Sequence, residues 1–177
     1  MEKINVRDCY RCLKESGFHM DPSWTGQFPM FLLSPAARAF IHSVYCAQGG
    51  NADRALGFSV LARVLATEEE GPCVIYLHSM SEFLAGNTRE AIDIAMEAKE
   101  AARARSDDEL EADVLAHLAD MYRAAGDTQA AQEYKEEADR MREVLACRQT
   151  GEAYGPGSRT RSWKCLWRQS HEGGKRG

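Results

Sequence analysis

No run of apolar residues in this chain of 177 approaches the ~20 that a helix needs to cross a bilayer. Runs such as Phe31-Leu32-Leu33 and Cys73-Val74-Ile75-Tyr76-Leu77 fall far short, so no membrane span is expected. The first eight residues, Met1 to Asp8, carry charges of both signs with no apolar stretch behind them, which is not the pattern of a secretory signal. Without that signal, and with enough helical sequence to form a core unaided, the six cysteines are expected to be reduced thiols in a cytoplasmic protein. Chemistry is equally sparse. No glycine-rich loop cradles a phosphate, no serine, histidine and aspartate fall in a defensible catalytic order, and no carboxylate pair stands at an identifiable cleft. The expectation is a protein that is not an enzyme and uses no cofactor or metal.

Charge is unevenly spread. Residues 148 to 177 carry seven Lys/Arg and two Glu, a balance of +5, which leaves −10 on the rest of a chain whose total is −5. An acidic body is unsuited to a broad nucleic-acid surface, because neutralising phosphates is the main source of such affinity. If nucleic acid or anionic lipid is bound, the place is the basic tail, where Trp163 and Trp167 lie among Arg159, Arg161, Lys164 and Arg168. From Gly155 onward the composition has no period and predicts disorder.

What is present is repetition. Gly50, Ala55 and Ala62 recur as Gly86, Ala91 and Ala98, and again as Gly126, Ala131 and Ala138, with helix-forming sequence on both sides of each glycine. Ser34-Pro35 can open a helix, the serine capping an orphan amide and the proline tolerated in the first turn. Helices are expected from there to about Gln48, from Asn51 to about Glu69, Gly71 to Ala85, Asn87 to about Arg105, Asp107 to Ala125, and Asp127 to about Cys147. Six helices make three antiparallel hairpins. The paired alanines, seven residues apart, share one face of each second helix and let a neighbour approach closely. A further short helix fits residues 6 to 16, with Val6, Cys9, Tyr10, Cys12 and Leu13 near one face, and the irregular, aromatic stretch Phe18 to Leu33 is expected to cover the open end of the stack. The domain reading is therefore 1–33, an N-terminal helix and capping segment; 34–147, three repeats; and 148–177, the tail.

The skeleton resembles the tetratricopeptide repeat. The third unit carries the likeness best: Leu115, Leu118-Ala119, Tyr122, then Gly126-Asp127, Ala131 and Ala138. The second keeps Tyr76, Phe83, Gly86, Ala91 and Ala98, with Ser79-Met80 in place of the leucine-small pair and a turn that reads one residue shorter. The first keeps Phe40, Gly50, Ala55 and Ala62. Departures are glycine spacings of 36 and 40 against a family period of about 34, no closing proline, and Ser59, Ala95 and Lys135 where the second helix has an aromatic. The resemblance implies an all-α, right-handed α-solenoid whose first helices line a concave groove for a peptide or helix of a partner protein, in an adaptor or chaperone-like role. Length, acidity and unit count are also similar to the small helical chaperones of bacterial type III secretion, and a self-associating regulatory scaffold is the other alternative.

Groove candidates on the first helices are Phe40, Val44, Tyr76, Met80, Phe83, His117, Asp120 and Arg123, since aromatic and methionine surfaces suit helix-in-groove recognition. The paired Lys and Asn that grip a terminal carboxylate in heat-shock adaptors are absent. His42, His78 and His117, spaced by 36 and 39 residues, are candidates for one row along the groove, spaced too widely for a single zinc ion but able to make binding pH-sensitive. Cys9-x-x-Cys12 has the spacing of a zinc or redox pair but lacks a second pair, with only His19 nearby; as residues of one helix face the thiols suit a core, and a metal- or redox-linked protein using Cys9 and Cys12 is the lesser alternative. Glu68-Glu69-Glu70 and Asp107-Asp108-Glu109 read as solvated helix ends.

Overall fold

The computed structural model describes residues 3–15 and 32–150. The expected cap over residues 18–31, His19 and the tail beyond Thr150 lie outside the described residues. Among these the protein is all-α, with seven helices: α1 (Val6–Glu15), α2 (Pro35–Gln48), α3 (Ala52–Leu65), α4 (Gly71–Leu84), α5 (Thr88–Ala104), α6 (Asp108–Ala124) and α7 (Thr128–Thr150). No helix among them is long and apolar enough to cross a membrane.

The turns explain the glycines. Gly50, Gly86 and Gly126 have φ of 73°, 87° and 86°, a left-handed conformation that costs other residues ~1–2 kcal/mol. In each, the residue after the glycine donates its N–H five residues back: Asn51 to Cys46, Asn87 to Glu82 and Asp127 to Tyr122. This closes the preceding helix in a Schellman-type turn. Asn51 and Asp127 then cap the next helix by accepting from Arg54 N–H and Ala130 N–H. The turn before α6 uses Ser106 at φ 54° instead of glycine, and Asp107 accepts from Leu110 N–H.

Helix α3 stops at Leu65, short of the expected Glu69, because Thr67 and Glu70 form a reciprocal capping box ahead of α4. Thr67 N–H donates to the Glu70 carboxylate at 3.0 Å, and Glu70 N–H to Thr67 Oγ1 at 3.4 Å. Reading Glu70 as a solvated helix end is thereby corrected. It is 2% exposed and also accepts from Val6 N–H at 3.1 Å and Ser34 Oγ–H at 2.5 Å. One carboxylate thus ties together the starts of α1, α2 and α4. Beside it, Ile4 and Leu33 form a parallel bridge, with Ile4 N–H donating to Leu32 and Ser34 N–H to Ile4.

Neighbouring helices pack in chain order from α2 to α7, and α2 also meets α4, as α4 meets α6. Ala55, Ala62, Ala91, Ala98, Ala131 and Ala138 are all buried, where a longer side chain would overpack. Two equivalent hydrogen bonds fix the register of the first two units. Ser43 Oγ–H donates to Ala55 C=O at 2.7 Å, and Ser79 Oγ–H to Ala91 C=O at 2.8 Å. Their third counterpart by the glycine spacing is Ala119, so the second unit's small residue is Ser79 itself and its turn is no shorter than the others. The larger core residues Phe40, Leu110, Leu115, Leu118 and Met121 are at most 2% exposed. Burying each contributes ~1.5–3 kcal/mol.

Candidate functional site

The register places Ala37, Phe40 and Val44 of α2 at the same positions as Cys73, Tyr76 and Met80 of α4, and as Asp113, Ala116 and Asp120 of α6. Spacings of three and seven residues put each set on one helix face. Between α2 and α4 this face holds a half-open, almost wholly apolar cavity of about 220 Å³. Phe40, Val44, Tyr76, Leu77 and Met80 line it, and Leu84, 55% exposed, stands at its edge.

Tyr10 of α1 and Cys73 also line it, with Ala47, Gln48 and Ser81. Helix α1 lies against α2 and α4 with Val6, Cys9, Tyr10 and Leu13 buried. Tyr10 meets Tyr76 edge to face at 6.0 Å, an arrangement worth ~0.5–1.5 kcal/mol beyond area burial. Its hydroxyl donates to Asp113 at 2.6 Å. Burial first, then the neighbouring Tyr76 and Asp113, push the Tyr10 phenol well above its usual range and keep it a donor. Lys14 reaches the same Asp113 oxygen at 2.6 Å, Arg142 of α7 reaches the other at 3.4 Å, and Arg7 pairs with Asp107 at 3.0 Å.

The candidates identified by sequence fall into three groups. Phe40, Val44, Tyr76 and Met80 are brought together at the cavity. Phe83 and His117 form an aromatic contact between α4 and α6, with His117 edge-on to both Phe83 (5.7 Å) and Tyr76 (5.6 Å). Asp120 and Arg123 are exposed on α6 and bond each other at 2.6 Å.

The three histidines do not form a row. His42 and His78 occupy equivalent positions, but their counterpart on α6 is Leu118, so His117 points one residue away. His42 stacks on Phe58 of α3, while His78 shares a hydrogen bond with Ser59 through Nδ1 at 3.2 Å. Burial holds His78 below its ordinary value against the opposing pull of Glu82, and drives His117 down to about 4. Nε2 of His117 is enclosed without a hydrogen-bond partner.

Among the described residues no three His, Cys, Asp or Glu side chains are grouped to hold a metal. Burial, reinforced by Cys12, Asp8 and Glu70, pushes the Cys9 thiol up to about 12, which keeps it protonated and a poor nucleophile for thiol exchange. Cys73 is raised to about 12 as well, chiefly by burial.

Sequence reasoning missed Tyr10, Cys73, Leu77, Leu84 and Asp113 as members of this face. The signal for Tyr10 was the apolar face of α1, together with Arg7 and Lys14 seven residues apart; nothing in the sequence named the surface it would cover. Asp113, an acidic residue in mid-helix, belongs to no motif that would single it out in the sequence. No family model, no curated protein and no solved structure matches the chain.

Proposed function

We propose that the protein is a protein-interaction module of tetratricopeptide type. Helices α2 to α7 form three hairpins in a right-handed solenoid, and α2, α4 and α6 line the face that receives a helix or peptide of a partner, in an adaptor or chaperone-like role. The observation that carries this reading is the apolar cavity between α2 and α4, with Leu84 exposed at its edge. An opening of this kind takes one apolar side chain of a bound segment as its anchor. The recurring left-handed glycine turns support the solenoid.

The test is capture of partners on the full chain, beside Leu84→Asp and Met80→Ala variants whose helical circular dichroism matches wild type. A partner held by wild type and lost from both variants supports the groove. Partners retained equally by all three forms sink it.

A second reading, self-association, is favoured by α3. Val60, Leu61, Val64 and Leu65 are all exposed, Val64 at 77%, and form an apolar strip away from the cavity. A second copy is the natural cover for such a strip in a scaffold.

A further inference from the structure

Helix α1 has ten residues, too few to be stable alone in water, so its helicity is lent by the surface beneath it. Its buried residues Val6, Cys9, Tyr10 and Leu13 fall at i, i+3, i+4 and i+7, the anchor spacing of a helix bound in a groove. Of its three exposed cations, Arg7, Arg11 and Lys14, two are matched by the receiving face: Arg7 by Asp107, and Lys14 by Asp113, which also accepts the Tyr10 hydroxyl. With α1 seated, those carboxylates are only 12% and 13% exposed, while the cations are 45% and 41% exposed, so the cations lie over the acidic partners.

We propose that α1 is an in-cis copy of the ligand this face receives: a basic amphipathic helix with a tyrosine anchor, which binds by exchanging with α1. This rests on the groove reading above and gives the partner its chemistry. The apolar spacing sets where the helix sits, and the two carboxylates select cations about two turns apart and reject acidic helices. The cavity beside Tyr10 remains open with α1 in place, so an incoming segment can engage Phe40 and Met80 before α1 leaves.

The probe is a fluorescent peptide of residues 3–15 under reducing conditions, titrated into the full wild-type chain and into the Arg7→Glu/Lys14→Glu double variant. Reversing two exposed cations loosens α1 without removing any buried side chain. The expected result is peptide binding about tenfold tighter to the variant than to wild type, weakened by added salt, and no competition from a peptide carrying Glu at both positions. A folded variant that binds neither peptide, or both alike, overturns the exchange.

Should the variant fail to fold, amide hydrogen exchange on the wild-type chain decides. The proposal requires α1 amides to open faster than those of α5 and α6, and faster still in salt. Exchange of α1 only with global unfolding overturns it. A partner that binds through Leu84 while α1 amides stay protected would keep the groove function and overturn the exchange alone. A wild-type dimer dissociated by the peptide would assign the occupant to α1 of a second copy, which overturns the partner assignment.

Discussion

His117 sits edge-on to Tyr76 and Phe83 with Nε2 unpartnered, an arrangement that favours the neutral ring. The unfolded chain holds its imidazole near 6.5 and the folded protein near 4, so between those values the unfolded state binds the extra proton. Stability from the neutral ring is whole above pH 6.5 and is lost as pH falls toward 4, up to ~3 kcal/mol. Urea unfolding at pH 7 and pH 4.5 should therefore differ by ~2 kcal/mol less in His117→Phe than in wild type. His78, also lowered by burial, adds a loss of the same sign to both chains.

Glu70 is held in its charged form where His117 is held neutral, and both contributions are lost on acidification. Burial raises its carboxyl, but hydrogen bonds from Ser34, Thr67 and Val6 outweigh this, and the net shift is downward from 4.5. Its contribution is present above pH 4.5 and lost as the pH falls below that value. Glu70→Ala removes the acceptor for Val6, Ser34 and Thr67 at once and should lower stability by ~3 kcal/mol in denaturant titration. The histidine row was misread because its spacings of 36 and 39 residues were taken as equivalent, whereas the glycines that set the register are 36 and 40 apart. Glu70 was misread although Thr67-x-x-Glu70 is a legible capping box, because the run of three glutamates resembled a solvated end.

Among elements, the helices were the most legible part of the chain. Ser34-Pro35, the glycine turns and the capping Asn51, Asp107 and Asp127 are local chemistry, decided within a few residues and therefore readable without the rest of the fold. Glycine also shows where local rules diverge. Gly57 lies inside α3 with helical backbone and open space where a Cβ would be, while Gly86 closes α4 at φ 87°. Gly57→Ala should raise stability by ~0.5–1 kcal/mol, and Gly86→Ala should lower it by ~1 kcal/mol or more. Paired thermal melts of the two variants check both signs. What the elements do to one another was less readable. The inner face of α1 was evident, but its seat on α2 and α4 depends on Asp107 and Asp113, a hundred residues away in sequence.

For the molecule as a whole, two surfaces compete for attention: the cavity face and the exposed strip on α3. They make separable predictions. If the strip joins copies, Val64→Lys should convert a dimer to a monomer in light scattering at micromolar concentration while leaving capture through Leu84 untouched. A wild-type monomer under those conditions removes the self-association reading. Neither surface could be ranked from sequence, because Val60, Leu61 and Val64 have the same apolar character as the buried residues beside them, and only the packing of neighbouring helices decides which are left uncovered.

The hydroxyl of Tyr10, buried against Asp113, makes the chain its own optical gauge. Phenols that ionise in alkali absorb in the near ultraviolet, yet Tyr10 and Tyr76 are both held in the neutral form far beyond the ordinary tyrosine range. In a rapid alkaline jump, these two phenols should respond only as the structure yields. Tyr76 lies within the α2 to α7 stack and Tyr10 on α1, so an intermediate wave of one phenol, lost in Tyr10→Phe, would time the departure of the N-terminal helix against the collapse of everything beneath it.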